Sequence, residues 1–160
     1  MAGEFPDSVE RVSAFLRDAG AEARIQEFPD GTHTAQDAAD AVGCELAQIV
    51  KSLVFVCDGR PVVALVPGDR RGDPGKVARA VEASEARVAK ASEVEDATGF
   101  APGAVPPFPL PDVEVVLMDL GLFRHPLIWA GAGSPKHVLG MVPTELARLS
   151  RARPLDVSAD

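Results

Sequence analysis

The apolar residues of this chain are most concentrated in two consecutive runs. The first covers residues 48–56 and the second covers residues 61–66, with the dipeptide Asp58-Gly59 between them. Continuous apolar runs of this length are typical of strands that are enclosed on both faces of a sheet. Two such runs joined by a short turn that contains glycine predict a β-hairpin.

Helical periodicity occurs in five places, each with a residue suited to begin or end a helix. In the first helix, Ser8 is the predicted cap of an apolar stripe, and Gly20 ends it. In the second, Thr34 is the cap, Asp37 is at the capping-box position and Gly43 ends the helix. The five predicted helices cover residues 8–20, 34–43, 73–81 and 92–99 and a closing segment that begins at Pro143. Ser92 is the predicted cap of the fourth helix, as the first residue of a capping box. Residues 45–48 predict a short helical turn.

Shorter apolar or alternating segments predict four further strands, at residues 24–28, 113–118, 128–130 and 138–141. Residues 102–111 contain five prolines, too many for a helix or a central strand. Residues beyond 150 have no clear pattern and predict a loose C-terminal tail. The elements together predict one α+β domain over residues 1–160, with its core at about residues 8–150 and a largely antiparallel or mixed sheet.

Lys51 is the one charge inside the first apolar run. An unpaired ammonium buried in a strand would cost several kcal/mol, so such a lysine is usually paired or faces a cavity. One interpretation is therefore an anion-binding or electrophilic site at the head of this strand. The other is that Lys51 lies at the solvent end of its strand, with its aliphatic stem along apolar surface.

The composition is that of an ordinary globular domain of 160 residues, with 46% hydrophobic and 25% charged residues. No stretch approaches 18 uninterrupted apolar residues, and the first residues lack the basic and apolar segments of a secretory signal. The two cysteines, Cys44 and Cys57, fit a reducing compartment better than a disulfide framework. We therefore expect a cytoplasmic protein with no membrane partner.

The net charge of −8 is unevenly distributed along the chain. Residues 1–48 hold ten acids and three bases, whereas residues 49–160 hold fourteen acids and thirteen bases. This balance argues against a protein that coats DNA or a long duplex by charge alone. The charge of the second part of the chain does not exclude contact with one end of a nucleic acid.

Common catalytic and metal-binding motifs are absent from the sequence. It contains no Gly-x-Ser-x-Gly nucleophile motif and no P-loop, and no nucleophile–base pair stands out. The three histidines, His33, His125 and His137, lack the spacing of a zinc site, so no metal and no cofactor are expected. Two loops, residues 103–107 and 131–135, combine glycine with proline and could direct backbone amides at a phosphate or a carbonyl oxygen. Each could equally be an ordinary tight connection.

Four segments in this order resemble the YbaK family, which is related to the editing domain inserted in bacterial prolyl-tRNA synthetase. They are Thr34-Ala35 with Ala38-Ala39, the Lys51 strand, the loop 103–107 with Phe108, and the loop 131–135. The resemblance covers about residues 8–150. It implies a mixed, barrel-like sheet flanked by helices, with a pocket beside the lysine.

The resemblance implies hydrolysis of the ester that joins a wrong amino acid to the 3′ adenosine of a tRNA, with water as the nucleophile. Lys51 and Gly103 are the implied catalytic residues. The implied substrate-binding residues are Thr34, Pro107, His125, Gly133 and Ser134. The implied partners are the 3′ end of an aminoacyl-tRNA, with the prolyl tRNA as the first candidate, and an aminoacyl-tRNA synthetase.

The sequence also departs from the family pattern. Relatives often have Ser-Pro in the first loop, where this chain has Pro106-Pro107, and relatives that release cysteine carry an acid where this chain has Val138. Cysteine as the amino acid removed is therefore in doubt. The alternative to a deacylase is a non-catalytic module on this fold that binds tRNA ends, nucleotides or a synthetase, because fold alone does not fix function.

Overall fold

The structure, a computed structural model, describes residues 5–21 and 23–160. Its helices are α1 (Asp7–Asp18), α2 (Ala35–Val42), α3 (Pro74–Ala80), α4 (Ala91–Thr98) and α5 (Pro143–Ser150). Its strands are β1 (Ile25–Glu27), β2 (Ile49–Cys57), β3 (Arg60–Pro67), β4 (Arg71–Gly72), β5 (Ala86–Val88), β6 (Val115–Asp119), β7 (Ile128–Ser134), β8 (His137–Met141), β9 (Arg153–Leu155) and β10 (Ser158–Ala159). Two 3₁₀ turns cover Leu46–Gln48 and Leu120–Arg124.

The predicted hairpin is present as β2 and β3, which pair antiparallel from Val50 opposite Pro67 to Cys57 opposite Arg60. Asp58 and Gly59 both have positive φ, 49° and 86°. A two-residue turn with two positive φ values matches the right-handed twist of the strands that it joins. The hairpin prediction is therefore confirmed in both its strands and its turn.

Of the five predicted helix starts, three are confirmed, among them that of α5 at Pro143, and two are wrong. The Thr34 hydroxyl accepts the N–H of Asp37, and the Asp73 carboxylate caps α3 in the same way by accepting the N–H of Lys76. By contrast, α1 is preceded by Pro6 rather than Ser8, and α4 by Lys90 rather than Ser92. In α4 the Glu93 carboxylate accepts the N–H of Lys90, so the acid of the first turn replaces the serine cap that the sequence indicated.

The sheet is mixed rather than largely antiparallel, which corrects the prediction. Eight strands belong to it, in the order β1-β8-β7-β2-β3-β6-β9, with β5 also paired to β2, while β4 and β10 form a separate pair. Three neighbouring pairs are parallel: β2 with β7, β3 with β6, and β6 with β9. The sheet curls into a half-barrel flanked by helices. Parallel neighbours need crossover connections, which local apolar patterns do not specify.

The apolar core lies on both sides of the β2–β3 hairpin. On one side Val54, Val63 and Leu65 pack with α1, α5 and the proline-rich segment, where Phe15 stacks on Phe108 with ring centroids 5.0 Å apart. On the other side Phe55 and Val66 pack with residues of α3, β6 and the C-terminal segment. A smaller cluster joins α2 to the start of β2. No helix in the described ranges is long and apolar enough to cross a membrane.

The prediction of a loose tail beyond residue 150 is wrong. β9 pairs in parallel with β6, and β10 pairs antiparallel with β4. Val157, between them, is fully buried, and its N–H donates to the Asp119 carboxylate at 3.0 Å. The segment is therefore part of the core, held by partners that lie far away in the sequence.

Candidate active site

The central strand β2 has two different partners along one of its edges. β7 pairs with Ile49 and Val50 in parallel, and β5 pairs with Phe55, Val56 and Cys57 in antiparallel orientation. Between these two partners, no strand from the described part of the chain lies beside Lys51 to Leu53 on this edge, and these residues are only half-buried. The prediction of a strand enclosed on both faces throughout is therefore wrong at this point. The sheet opens where the sequence places its one charged residue.

A cleft of about 320 Å³ lies at this opening. Its polar lining comes from Lys51, Ser52, Gly103 and Ser134, together with the segment just before and at the start of α2. Its apolar lining is formed by Ala35, Ala38, Ile49, Val50, Leu53, Val105, Trp129, Ala130 and Val138. The cleft can therefore hold a ligand that has both polar and apolar parts.

Lys51 lines the cleft, and its ammonium donates a hydrogen bond to the backbone carbonyl of Arg70. Burial lowers the pKa of Lys51 from its usual 10.5, while the nearby Asp69 acts in the opposite direction. The amine is thus only partly removed from water and is held by a neutral acceptor. A positive charge in this state remains available to a developing negative charge or a phosphate.

Gly103 holds the opposite side of the cleft. Its φ is +81°, and a Cβ at this position would meet no atom within 4 Å, so the residue faces open space. The residues that follow it, 104–108, are buried, and Phe108 is only 1% exposed. The proline-rich segment is therefore anchored in the core and fixes the position of the Gly103 backbone.

Ser134 brings a histidine to the cleft, although sequence inspection indicated no nucleophile–base pair. Its Oγ lies 2.6 Å from Nδ1 of His137 and accepts the N–H of Lys136 at 3.0 Å. The serine oxygen can accept a second hydrogen bond as well, so the direction of the Ser134–His137 hydrogen bond depends on which ring nitrogen carries the proton. Nε2 lies 3.7 Å from a carboxylate oxygen of Glu27. Burial lowers the pKa of His137, which is 3% exposed, so the neutral imidazole is favoured.

Of the seven site residues that the sequence indicated, four lie together. Lys51, Gly103, Thr34 and Ser134 all line the cleft, with the Thr34 hydroxyl engaged as the cap of α2. The other three, Pro107, His125 and Gly133, are not among its lining residues. Pro107 is buried in the anchored segment, and His125 lies just after the second 3₁₀ turn.

Gly133 packs against helix α1 instead of facing the cleft. Its φ is +101°, and a Cβ there would lie 2.7 Å from the backbone oxygen of Ser8. Only glycine allows this close approach of β7 to α1.

Sequence inspection assigned no site role to Thr32, His33 and Trp129, which also line the cleft. A signal was available for Trp129. Ile128 and Ala130 alternate with it and face the core, so Trp129 must face the other side of the sheet. The indole lies against Gly140, where an added Cβ would come within 3.0 Å of three ring carbons. His33 and Thr32 follow an irregular turn and carry no periodic signal.

Comparisons with known proteins match most of the chain. A family model described as the aminoacyl-tRNA editing domain matches residues 29–149. The uncharacterized protein YwhH of Bacillus subtilis (strain 168) is 32% identical over 138 residues, which cover 85% of this chain and 87% of that protein. A proline–tRNA ligase of Nitratidesulfovibrio vulgaris (strain DP4) is 36% identical over 103 residues, which cover 64% of this chain but only 18% of the ligase. A solved structure described as a candidate trans-editing enzyme for prolyl tRNA synthetase superimposes with a TM-score of 0.91 at 37% identity, covering 98% of this chain and 100% of that one.

Proposed function

Because the chain belongs to the aminoacyl-tRNA editing domain family, we propose that it is a trans-editing hydrolase. It cleaves the ester that joins a wrong amino acid to the 3′ end of a tRNA, with the prolyl tRNA as the first candidate. The likeness to a candidate trans-editing enzyme over nearly the whole chain supports action outside a synthetase. The proposed partners are therefore the 3′ end of an aminoacyl-tRNA and a synthetase that presents it.

The observation that carries this proposal is the half-buried ammonium of Lys51 at the opening of the sheet, in one cleft with Gly103 and Ser134. An aminoacyl ester is already activated, so a positioned water molecule suffices as nucleophile. Attack places negative charge on the carbonyl oxygen. A backbone amide near Gly103 could stabilise that charge, and one well-placed donor contributes about 2.7–4 kcal/mol to the transition state.

Lys51 supplies the positive charge of the site. It neutralises the developing oxyanion or holds the terminal ribose and its phosphate. When Nδ1 of His137 accepts the hydrogen bond from the Ser134 hydroxyl, the serine oxygen can accept a further hydrogen bond from the attacking water or from a ribose hydroxyl. Among the described residues, the cleft lining contains no carboxylate. The base that takes the proton of the water is therefore proposed to be a ribose hydroxyl, the Ser134–His137 pair or His33, whose imidazole also lines the cleft.

The need for such an enzyme follows from energetics. Two amino acids that differ by one methylene differ in binding by only about 1–3 kcal/mol, so a synthetase cannot exclude a close analogue by fit alone. Val138 lies in the apolar lining where relatives that release cysteine carry an acid. This supports an amino acid with an uncharged side chain as the group removed.

The test is a panel of tRNAs, each charged with a wrong amino acid, incubated with the wild-type chain and with Lys51→Ala. We expect fast hydrolysis of one or two members by the wild type and none above background by the variant. A wild type that hydrolyses no member would overturn the proposed activity.

Binding without hydrolysis would instead support the non-catalytic module. The chain has one tryptophan, Trp129, and no tyrosine, so its intrinsic emission reports on the cleft. A 3′-aminoacyl-adenosine analogue with an amide in place of the ester should change that emission. Quenching by the analogue together with no turnover of any tRNA would identify a binder.

A further inference from the structure

The C-terminal segment folds against the loop that accepts the Lys51 ammonium. This loop, residues 68–70, connects β3 to β4, and β4 pairs with β10 through Gly72 opposite Ser158 and Arg71 opposite Ala159. The carbonyl of Val157 accepts the N–H of Asp73 at 2.9 Å. The two-residue strand that follows the loop therefore has its strand partner among the last residues of the chain.

Arg70 links the two regions through one residue. Its carbonyl accepts the hydrogen bond from Lys51 Nζ, and its guanidinium Nε donates to Ser158 Oγ at 2.7 Å. A second guanidinium nitrogen contacts the Asp160 carboxylate at 2.8 Å, but Asp160 is fully exposed. Since exposed ion pairs contribute little and buried hydrogen bonds contribute more, the bond to Ser158 is the stronger of the two tethers.

Ser158 is itself firmly placed. It is 1% exposed, and its backbone carbonyl accepts a hydrogen bond from Lys76 Nζ at 2.7 Å. The same ammonium contacts the Asp156 carboxylate at 2.9 Å. The Asp119 carboxylate bonds the N–H of Val157, so β6 and α3 both fix the segment that carries the Ser158 hydroxyl.

We propose that residues 156–160 position Lys51 for the reaction, by holding Arg70 so that its carbonyl orients the ammonium in the cleft. The proposal rests on the function proposed above, in which the Lys51 charge acts on the ester. A lysine side chain has four rotatable bonds and loses much conformational freedom when its end is fixed. A rigid acceptor held from outside the cleft supplies that restriction before the substrate arrives. Ser158 and Arg70 are thus positioning residues, and neither touches the ester.

The test compares Ser158→Ala with Arg153→Ala. The first change removes the hydroxyl that holds Arg70 and leaves the backbone pairing of β10. The second lies in the same segment, on exposed β9, and its side chain lines a different cleft. We expect Ser158→Ala to lower kcat about fivefold to tenfold, which is within the net contribution of one ordinary hydrogen bond. KM should change less than twofold, and Arg153→Ala should match the wild type.

A second measurement does not depend on activity. The chain has four lysines, so the Cε signals of 13C-labelled lysine can be followed by NMR against pH, with Lys51→Ala giving the assignment. Loss of the Ser158 hydroxyl loosens Arg70 although the backbone pairing of β4 stays, and a looser loop lets water reach the amine and weakens the influence of Asp69. Burial is the larger of these two influences, so the pKa of Lys51 should rise towards its usual 10.5 in Ser158→Ala and stay unchanged in Arg153→Ala.

The two measurements separate the possible failures. If Lys51 titrates identically in wild type and Ser158→Ala, the positioning role is wrong, whatever the activity. If the titration shifts but the wild type hydrolyses no mischarged tRNA, the tether exists and the proposed function fails. Equal loss of kcat in both variants would also overturn the proposal, because it would show a general effect of the segment on stability.

Discussion

Two glycines with nearly identical φ values allow the chemistry of the cleft to be tested separately from the stability of the fold. Gly103 has a φ of +81° and Gly99 has a φ of +76°. An L-residue in this left-handed region costs about 1–2 kcal/mol. An alanine Cβ would meet nothing within 4 Å at Gly103, and at Gly99 it would meet only the end of the flexible Arg11 side chain at 2.9 Å. Both alanine variants should therefore lose similar stability, which lowers Tm by about 2–8 °C for a chain of this size.

Their effects on hydrolysis should differ, because only Gly103 lines the cleft. The new methyl group of Gly103→Ala would project into the space that the ester must enter, and relief of the strained φ would move the backbone amide. Complete loss of one oxyanion donor lowers kcat by about 10²–10³. The alanine keeps its N–H, so displacement should cost less, and we expect a loss of about tenfold or more. Gly99→Ala, at the end of α4, should retain activity within about twofold.

The assay is single-turnover deacylation at 25 °C, where both variants are expected to be folded, combined with thermal melting followed by circular dichroism. Equal losses of activity and of Tm in the two variants would contradict a chemical role for Gly103. In that case Gly103 would serve only as a turn, and the binding module would become the better explanation of the cleft. Full activity of Gly103→Ala would likewise show that the loop has no catalytic role.

Four further predictions concern single features. Lys51→Ala should reduce hydrolysis to background with an unchanged circular dichroism spectrum, because the charge faces the cleft; an unfolded or fully active variant would contradict this role. Burial lowers the pKa of His137 from its usual 6.5, so the unfolded chain takes up a proton before the folded one does, and stability should fall as the pH drops below about 6.5. The dependence of Tm on pH should be flatter in His137→Gln, and an identical curve would count against this assignment. Gly133→Ala should destabilise the fold by more than about 2 kcal/mol, since it adds a backbone clash with Ser8 to a positive φ; a variant with unchanged Tm would show that α1 moves freely. Chelators should leave hydrolysis unchanged, because no group of three His, Cys, Asp or Glu side chains gathers for a metal in residues 5–21 and 23–160; activity lost in chelator and restored by zinc would refute this.

Local signals were enough to predict the elements that depend on neighbours in the sequence. The Thr34 cap, the Asp58-Gly59 turn and the left-handed end of α4 at Gly99 each rest on a few consecutive residues. The C-terminal strands do not rest on consecutive residues in this way. β10 has only two residues and pairs with β4, more than eighty positions away, and β9 contains Pro154, which counts against a strand by local propensity. The positions of β9 and β10 depend on Val157, which lies between them and is buried only when the core is assembled.

The order of strands in the sheet could not be predicted either, because it also depends on partners that are distant in the sequence. An apolar run predicts that a strand is enclosed, but it does not say which strand lies beside it. β2 meets β7 at one end and β5 at the other, and the gap between them forms the cleft. The charge of Lys51 was the sequence signal for that gap. It marked the correct place because a strand covered on that edge throughout would have left the ammonium without water or a partner.

The contact between Ser134 and His137 could have been predicted from the spacing of two strands. β7 and β8 are joined by Pro135 and Lys136, so a two-residue connection makes the flanking residues direct partners across the hairpin. Of the three histidines, His137 was the one whose neighbour across a turn carried a hydroxyl in a glycine-rich loop. A search for zinc-ligand spacing does not detect such a pair, because it counts residues between ligands along the chain and ignores contacts across a hairpin. The pair therefore places a buried, neutral proton acceptor one hydrogen bond behind the cleft, at a site where the sequence motifs alone had suggested that the protein supplies no base.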